Sequence, residues 1–243
     1  MSTSGTYTFN VTRDDIITDA LTTCGVIDAT ETITTADKTR CSFVLNILLK
    51  SLPIETWLLW CYTDVAVPLT SGTSTYTIGP SGDVVGVRPL RIAKGWLRNT
   101  NVTPNVDQPM TQLARTDYDM LTPKQTPGIP VNFYYDPQLT NGVLYTWPVI
   151  NTSGYTVYLS CQRTIQDVAS TGSASTETFD LPQEWFQPLR WILADEISHE
   201  YVLNLQKVQM IRERAEMWRE KMSNYSREEP SLYFTPNFQG MGQ

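Results

Sequence analysis

The chain has 243 residues and a formal net charge of −7, so it is long enough to bury a sizeable core in one large domain or two smaller ones. Its acidic balance argues against sequence-independent DNA binding, because such proteins gain most of their affinity from clustered Lys and Arg that neutralise phosphates. No apolar run approaches the roughly 20 residues that span a bilayer, and the N-terminus lacks a signal-peptide pattern, so we expect synthesis in the cytoplasm and no membrane anchor.

Two helices are predicted in the first 61 residues. Residues 12–15 have the pattern of a capping box, and Gly25 supplies a left-handed stop, which together predict a short amphipathic helix. Residues 34–37 repeat the starting signal, and the apolar stripe that follows is expected to end where Pro53 removes a backbone donor. That stripe consists of Cys41, Val44, Leu45, Leu48, Leu49 and Leu52. Residues 54–61 either continue this helix past a kink or form a separate turn, and the pattern does not decide between the two.

From about residue 62 to residue 178, Thr, Val, Tyr and Pro displace the helix formers and Gly-containing turns arrive at short intervals, which predicts an antiparallel β region. The strands are expected near residues 64–69, 74–78, 84–97, 131–135, 143–149 and 156–163, with one helical turn at 118–121. Within residues 129–149, two runs rich in aromatic and β-branched residues flank Asp136-Pro137 and Asn141-Gly142. These turn residues supply the backbone conformations of a chain reversal, so a β-hairpin is predicted there.

One long helix is predicted near the C-terminus. Asp180 begins a helical region, Pro188 marks a restart, and the main helix is expected to run to about Tyr225. Its apolar positions step by three or four residues and are Leu189, Leu193, Ile197, Tyr201, Leu205, Val208, Ile211, Ala215, Trp218 and Met222. About 36 residues at about 1.5 Å each would make a rod of roughly 55 Å, so part of the helix is expected to meet another subunit. The candidate residues for helix packing or a subunit interface are Ile197, Tyr201, Leu205, Ile211, Trp218 and Met222. The alternative, favoured for the first half of the stripe, is packing on the first two helices.

Two further segments lack helical periodicity. Residues 170–176 are small and polar, too poor in apolar groups to offset the entropy of their ordering, so we expect a mobile loop or an exposed edge. After residue 229 four large apolar side chains remain, which a purely solvated tail would rarely carry. They are Leu232, Tyr233, Phe234 and Phe238. Two prolines favour an extended path, so this segment is predicted to be an arm whose apolar side chains anchor it to a protein partner.

Few residues show a catalytic or ligand-binding pattern. His199 is the only histidine and lies in a helical segment beside Glu196 and Glu200, so neither a catalytic triad nor a multi-histidine metal site is predicted. The four cysteines form no CxxC pair, and we expect buried free thiols. Residues 82–86 lack the lysine and the helix of a phosphate-binding loop, so no nucleotide cofactor is expected.

Two groups of charged residues offer weaker signals. Glu177, Asp180 and Glu184 lie close together, but helix capping by Asp180 and solvation of the two glutamates explain them without catalysis. The only locally basic strand region contains Arg88, Arg91, Lys94 and Arg98, which would contact DNA or an acidic partner, or else form an ordinary outward strand face. The alternating charges of residues 212–221 favour a solvated helix face with i,i+4 ion pairs, or a subunit contact.

Together these elements predict an α+β fold. N-terminal helices and a long C-terminal helix are expected to form a helical bundle, with an inserted antiparallel β domain. The expected parts are residues 1–61 for the N-terminal helices, 62–180 for the β domain, 181–226 for the C-terminal helix and 227–243 for the arm.

The run from Ile129 to Val149 contains Tyr-Tyr-Asp-Pro and Trp-Pro, and it resembles the corresponding segments of head-to-tail adaptor proteins of short-tailed bacteriophages. That family is also called tail accessory factors or packaged-DNA stabilisation proteins. Three other segments fit the same pattern: Leu21–Ile27, Asn46–Trp60, and Thr75–Pro89 with its Tyr-Thr-Ile-Gly-Pro. The resemblance covers most of the chain as an overall order of segments and includes no catalytic fingerprint.

The resemblance implies a structural virion protein that forms a ring, commonly of twelve copies, fixed beneath the portal protein after genome packaging. The ring would help to retain packaged DNA passing through its lumen, and it would offer a platform to later tail proteins such as a nozzle or tail fibre. The arm would dock on a neighbouring copy or on the portal. No catalytic residue, metal or cofactor is predicted. Some relatives are associated with peptidoglycan cleavage, so a virion-associated hydrolase is one alternative; a carbohydrate-binding or protein-binding β module is another.

Overall fold

Helices and strands occupy separate parts of the chain, and the α+β class is confirmed. The computed structural model describes residues 5–28, 30–55, 58–169, 178–201 and 203–226. Within them the helices are α1 (Arg13–Cys24), α2 (Thr35–Glu55), α3 (Arg115–Met120), α4 (Phe186–Ser198) and α5 (Leu205–Tyr225), with 3-10 turns at Leu59–Cys61 and Gln183–Trp185. The strands are β1 (Tyr62–Pro68), β2 (Thr75–Gly79), β3 (Val84–Val85), β4 (Arg91–Asn99), β5 (Val106–Gln112), β6 (Asn132–Asp136), β7 (Gly142–Trp147) and β8 (Tyr155–Gln162). The predicted loop 170–176 and the predicted arm 227–243 lie outside the described residues.

The first helix begins and ends where its capping signals place it. The Thr12 backbone N–H donates to the Asp15 carboxylate over 3.0 Å, and the Asp15 N–H donates to the Thr12 hydroxyl over 3.2 Å. At the other end Gly25 is left-handed, with a φ of 71°, and its N–H donates to the Thr22 carbonyl. The predicted capping box is confirmed, because all of its groups lie within a few residues of one another.

The second helix includes Pro53 and continues to Glu55, so its predicted end at Pro53 is wrong. The carbonyls of this last turn find donors outside the helix. Arg91 of β4 donates to the Pro53 carbonyl over 2.8 Å, and Gln162 of β8 donates to the same oxygen over 3.3 Å. These donors bond to a carbonyl at the helix end, where carbonyls have no partner within the helix. Contacts with the sheet therefore stabilise a helix end beyond Pro53, which the sequence alone does not favour. The 3-10 turn at residues 59–61 is a separate turn, which decides between the two alternatives for this segment.

The predicted long C-terminal helix is instead two helices, α4 and α5, that pack against each other. The chain reverses direction between the two helices, and the Asn204 side chain caps α5 by accepting from the Gln206 N–H over 2.9 Å. α5 then runs back along α4, as the 2.9 Å ion pair between Arg219 and Glu196 shows. The apolar periodicity continues across the break because both helices turn their apolar faces to the same core, so periodicity alone could not reveal the break.

Eight strands form one sheet in the order β1-β8-β4-β5-β6-β7-β2-β3. Most neighbours are antiparallel, but β5 with β6 and β2 with β3 are parallel, so the prediction of a purely antiparallel region fails at these two pairings. The predicted strand 84–97 is interrupted at residues 86–90, where Pro89 lacks a backbone donor, and it becomes β3 and β4. The sequence does not predict β5, because its mostly exposed, polar residues carry no alternating apolar pattern.

The hairpin predicted within residues 129–149 is confirmed as β6 and β7, in which Tyr134 lies opposite Tyr145. The sheet curls so that one face of its strands encloses a single hydrophobic core. Gly95 of β4 lies where two parts of the sheet approach each other, since a Cβ at that position would be 2.7 Å from the Phe133 ring. Glycine is therefore required for this close approach.

A second core lies among the helices. Its centre is α4, which contacts α1, α2 and α5 and carries the fully buried Leu193 and Ile197. α1 also contacts α2 and α5, so α1 and α4 fill most of the space between α2 and α5, which meet through the 4.0 Å ion pair between Glu55 and Arg219. After β8 the chain returns to this core along α2, where the Asn46 side chain bonds both the N–H and the carbonyl of Val168. The helical region therefore combines segments from before and after the sheet.

Candidate interaction surfaces

The basic residues predicted in one strand region do not form a single free cationic patch. They are Arg88, Arg91, Lys94 and Arg98. Arg91 is turned toward α2 and binds carbonyls of its last turn. Arg88 donates to the carbonyl of Pro137 over 3.3 Å, and Lys94 is exposed. Since Arg98 also binds within the chain, contact of this group with DNA or an acidic partner stays a prediction.

Arg98 belongs to a stacked surface on the outer face of β4 and β8. Its guanidinium makes two contacts of 2.7 Å with the Asp107 carboxylate and lies 4.5 Å from the centroid of the Tyr158 ring. Trp96 stacks on Tyr158 with centroids 5.6 Å apart and ring planes within 9°. The Arg98 guanidinium lowers the pKa of the Asp107 carboxyl, so this pair is ionised at neutral pH. Partly exposed aromatic and arginine side chains of this kind are enriched at protein interfaces.

Three tyrosines form a second aromatic cluster, between α3 and the β6–β7 hairpin. Tyr134 and Tyr145 stack with centroids 5.7 Å apart, and Tyr118 of α3 lies 5.2 Å from Tyr145. Burial raises the pKa of the Tyr118 hydroxyl. The rings turn toward one another and hold α3 on the sheet, whereas a sugar platform needs several ring faces open to solvent. The cluster also borders an open polar pocket with Arg115 and Lys124, so carbohydrate binding by the β module stays a prediction.

Arg212 and Arg219 of α5 pair with α4 rather than along their own helix, and Arg219 also lies 4.0 Å from the Glu55 carboxylate of α2. Arg219 lies 2.9 Å from the Glu196 carboxylate and 3.5 Å from that of Asp195, and Arg212 lies 3.9 Å from Asp195. Every residue of α5 is described, and no ion pair joins two of them. The predicted i,i+4 pairs are therefore wrong, because the turn before α5 brings the acidic side chains of α4 within reach of these arginines.

The residues predicted for helix packing or a subunit interface divide by location. Those buried in the helical core are Ile197, Ile211 and Met222. Tyr201 is half-buried and donates its hydroxyl to the Asp37 carboxylate over 2.9 Å. Trp218 is also half-buried and borders a groove. Leu205, by contrast, is 71% exposed. Most of this group thus contacts its own chain, and Leu205 is the member that points outward.

An apolar groove lies at the C-terminal end of α5, beside the last described residue, Ser226. It consists of two adjoining cavities of about 440 and 240 Å³, both bordered by Glu184, Trp185 and Tyr225. Trp60 packs edge-on against Trp185 with centroids 5.9 Å apart. The other lining residues are Leu59, Pro182, Pro188, Trp218, Lys221 and Met222. No local pattern in the sequence indicates this groove, because three distant segments build it.

The four predicted arm residues lie outside the described part of the chain. They are Leu232, Tyr233, Phe234 and Phe238. The described chain reaches Ser226 at the edge of the apolar groove, so the arm starts from this end of the helical region. Its docking site stays a prediction.

The carboxylates weighed as catalytic candidates have structural partners where they are described. Asp180 does not cap a helix; it pairs with the Arg163 guanidinium, with one contact of 2.8 Å. Burial acts to raise the pKa of the Asp180 carboxyl, but hydrogen bonds from Arg163 and from the Gln166 N–H outweigh it and lower the pKa. A general acid for glycoside cleavage needs the opposite shift. Glu184 borders the groove, and Glu177 lies outside the described residues.

The four cysteines are buried free thiols, as predicted. Burial raises their pKa to about 11 for Cys24 and Cys41 and to about 12 for Cys61 and Cys161. His199 contacts an arginine of α5 at 3.1 Å. In the part of the chain that the structure describes, no three metal-binding side chains cluster, and no helix is long and apolar enough to cross a membrane.

The stacked surface on β4 and β8 and the apolar groove at the end of α5 are features of surfaces that bind other proteins. The family described as SU10 adaptor protein matches residues 14–233, which is most of the chain. The chain therefore belongs to the SU10 adaptor protein family, and it is a structural adaptor-type protein of a phage virion. This confirms the adaptor class that the hairpin and the three other segments predict. No curated protein is significantly similar to the chain in sequence.

Proposed function

We propose that this adaptor forms a ring at the head-to-tail junction of a short-tailed phage, below the portal protein. The family match over residues 14–233 carries the proposal. The ring, for which twelve copies are expected, helps to retain packaged DNA and gives later tail proteins, such as a nozzle or tail fibre, a platform. The net charge of −7 supports a lumen that lets DNA pass, since like charges repel.

The ring resists the pressure of the packaged DNA through many individually weak contacts. Each copy in a ring adds one set of contacts to its neighbours and to the portal. Once one contact forms, tethering raises the effective concentration for the next, so the assembled ring holds far more firmly than any single contact. Assembly is therefore expected to depend on the portal as a template.

The C-terminal arm supplies one of these contacts. Its four apolar anchors follow α5 after a short polar segment, and α5 ends beside an apolar groove. Extended segments with aromatic anchors bind well in such grooves, because few side chains carry most of the binding free energy. The arm is proposed to dock on a neighbouring copy or on the portal.

Electron microscopy of the full chain mixed with its portal tests the ring. We expect rings on the portal and isolated chains in its absence. A chain that is missing from finished particles, or that never associates with the portal, would overturn the proposed function.

Deletion of residues 230–243 tests the arm separately. The truncated chain should keep its fold, since these residues follow α5, but it should no longer add to portal rings. A full-length variant with the four anchors replaced by Ser is the matched control for length. Normal incorporation of both variants would count against the arm and leave the ring untouched.

A further inference from the structure

Two helices of the helical region, α2 and α5, carry rows of exposed residues. α1 and α4 are covered along almost their whole length, whereas α2 and α5 each carry a continuous row of exposed positions. α1 and α4 fill most of the space between α2 and α5, which meet through the 4.0 Å ion pair between Glu55 and Arg219. The exposed rows of α2 and α5 are therefore two distinct surfaces, because the described helices leave both uncovered.

The open face of α2 is apolar. Phe43, Ile47 and Ile54 are 53%, 56% and 70% exposed. Together with three other exposed residues they alternate in steps of four and three, which is the spacing of a seam that packs against another helix. This α2 seam consists of Ala36, Arg40, Phe43, Ile47, Lys50 and Ile54. A regular stripe of large exposed apolar side chains indicates a partner surface.

The α2 seam also carries positive charge. Arg40 donates to the Glu200 carboxylate over 2.7 Å, and Lys50 lies 2.5 Å from the Asp167 carboxylate. Both cations are about half exposed, and a guanidinium has five N–H donors and an ammonium three. Each can therefore serve a second carboxylate from outside the chain.

One exposed row of α5 is acidic, and the exposed Arg212, Arg214 and Lys221 of the same helix are not part of it. This α5 acidic face consists of Leu205, Gln209, Glu213, Glu216 and Glu220. Its three glutamates form no ion pair with any described residue, whereas Arg212 and Arg219 pair with acidic residues of α4 and α2. α2 and α5 both have 21 residues, so the two faces match in length as well as in charge.

We infer that the α2 seam of one copy packs against the α5 acidic face of the next copy, an inference that rests on the proposed ring. Two unlike faces of a subunit make a head-to-tail contact, and such contacts form a ring when the rotation from one copy to the next closes. A two-fold dimer would instead pair a face with itself. For α5 that would bring glutamates against glutamates, which is unfavourable.

Crosslinking of full-length chains in purified particles tests this pairing. Ile47→Cys places a thiol at the centre of the α2 seam, and Glu216→Cys places one on the α5 acidic face. The native thiols are buried and resist maleimides, so only the new thiols should react. A short bismaleimide should turn the double variant into a ladder of dimers, trimers and larger multimers. Either single variant should stay monomeric, because only unlike faces meet.

The outcomes separate the pairing from the ring. Met120→Cys with Glu216→Cys is the matched control, since Met120 is 78% exposed on α3 and should give no ladder. Particles that contain the chain but give no ladder, or dimers from a single variant, overturn the pairing and leave the ring below the portal in place. Absence of the unsubstituted chain from finished particles overturns both.

A charge placed on the α2 seam gives a second readout. Ile47→Glu should lower incorporation into particles by roughly tenfold or more, because it buries a carboxylate opposite glutamates. Met120→Glu should incorporate normally. Circular dichroism checks that both variants keep their helices, and normal incorporation of Ile47→Glu overturns the pairing.

Discussion

The sheet region and the helical region use the chain in opposite ways. The sheet region is one continuous stretch, residues 62–162, with a core of its own. The helical region combines segments that precede and follow it. Tyr62 at the start of β1 pairs with Gln162 at the end of β8, so the chain enters and leaves the sheet at neighbouring strands. The sheet can therefore form from its own contacts, whereas the helical core requires two distant segments to meet.

The folded sheet brings those two segments together. Immediately after β8 the Arg163 N–H donates to the Cys61 carbonyl over 2.9 Å. With the sheet unfolded, the same contact would have to close a loop of about a hundred residues, at an entropic cost that grows with loop length. Stability of the helical region should thus depend on the sheet more than the sheet depends on the helices.

Removing one buried leucine from each core is the strongest test of this asymmetry. Leu193→Ala in α4 and Leu144→Ala in β7 each delete a fully buried side chain, and each should cost about 2 to 5 kcal/mol. Leu193→Ala should leave the sheet region folded. Leu144→Ala should lower the stability of both regions, because loss of the sheet separates the helical segments. Hydrogen exchange followed region by region measures this, and equal loss in both regions for both variants would mean that the chain unfolds as one unit.

Arg91 tests the junction between the regions. Its guanidinium donates to the Pro53 and Ile54 carbonyls over 2.8 and 3.4 Å. Arg91→Ala should lower the free energy of unfolding by about 1.5 to 3 kcal/mol, the range for hydrogen bonds to a charged group. Lys94→Ala on the same strand is the control and should have a much smaller effect, because Lys94 is exposed. Urea unfolding compares them; equal effects would show that Arg91 does not couple sheet and helices.

The pH dependence of stability tests the contribution of the Arg163–Asp180 ion pair. Although burial opposes it, Arg163 lowers the pKa of the Asp180 carboxyl. Such a group stabilises the fold above its unfolded pKa of about 3.9, and this contribution is lost as the pH falls through the folded pKa. Below about pH 4 it should therefore add to the loss of stability, by at most about 1.4 kcal/mol per pH unit. Asp180→Asn should flatten this part of the profile in denaturant unfolding, and an unchanged profile would exclude the role.

Features set by neighbouring residues could be predicted from the sequence, and features set by distant residues could not. The capping box of α1 and the β6–β7 hairpin each form within a short segment, and both are present. β5 is a strand because β4 and β6 pair with it, and its own residues give no sign of this. The apolar groove and the ion pairs between α4 and α5 likewise depend on the reversal of the chain between these two helices, which the apolar periodicity does not reveal.

Two helix caps also test the difference between features set by neighbouring residues and features set by distant ones, and their expected effects are the smallest. The sequence predicts the cap of α1 but not that of α5. Thr12 begins α1, and Asn204 begins α5 by accepting from the Gln206 N–H. Thr12→Ala and Asn204→Ala should each cost about 1 kcal/mol, because each leaves a backbone N–H at a helix start without its acceptor. Thr12→Ser and Asn204→Asp, which keep an acceptor, are the controls, and thermal unfolding by circular dichroism measures all four. If Asn204→Ala has no effect, contacts such as the one between Arg219 and Glu196, and not the cap, determine where α5 begins.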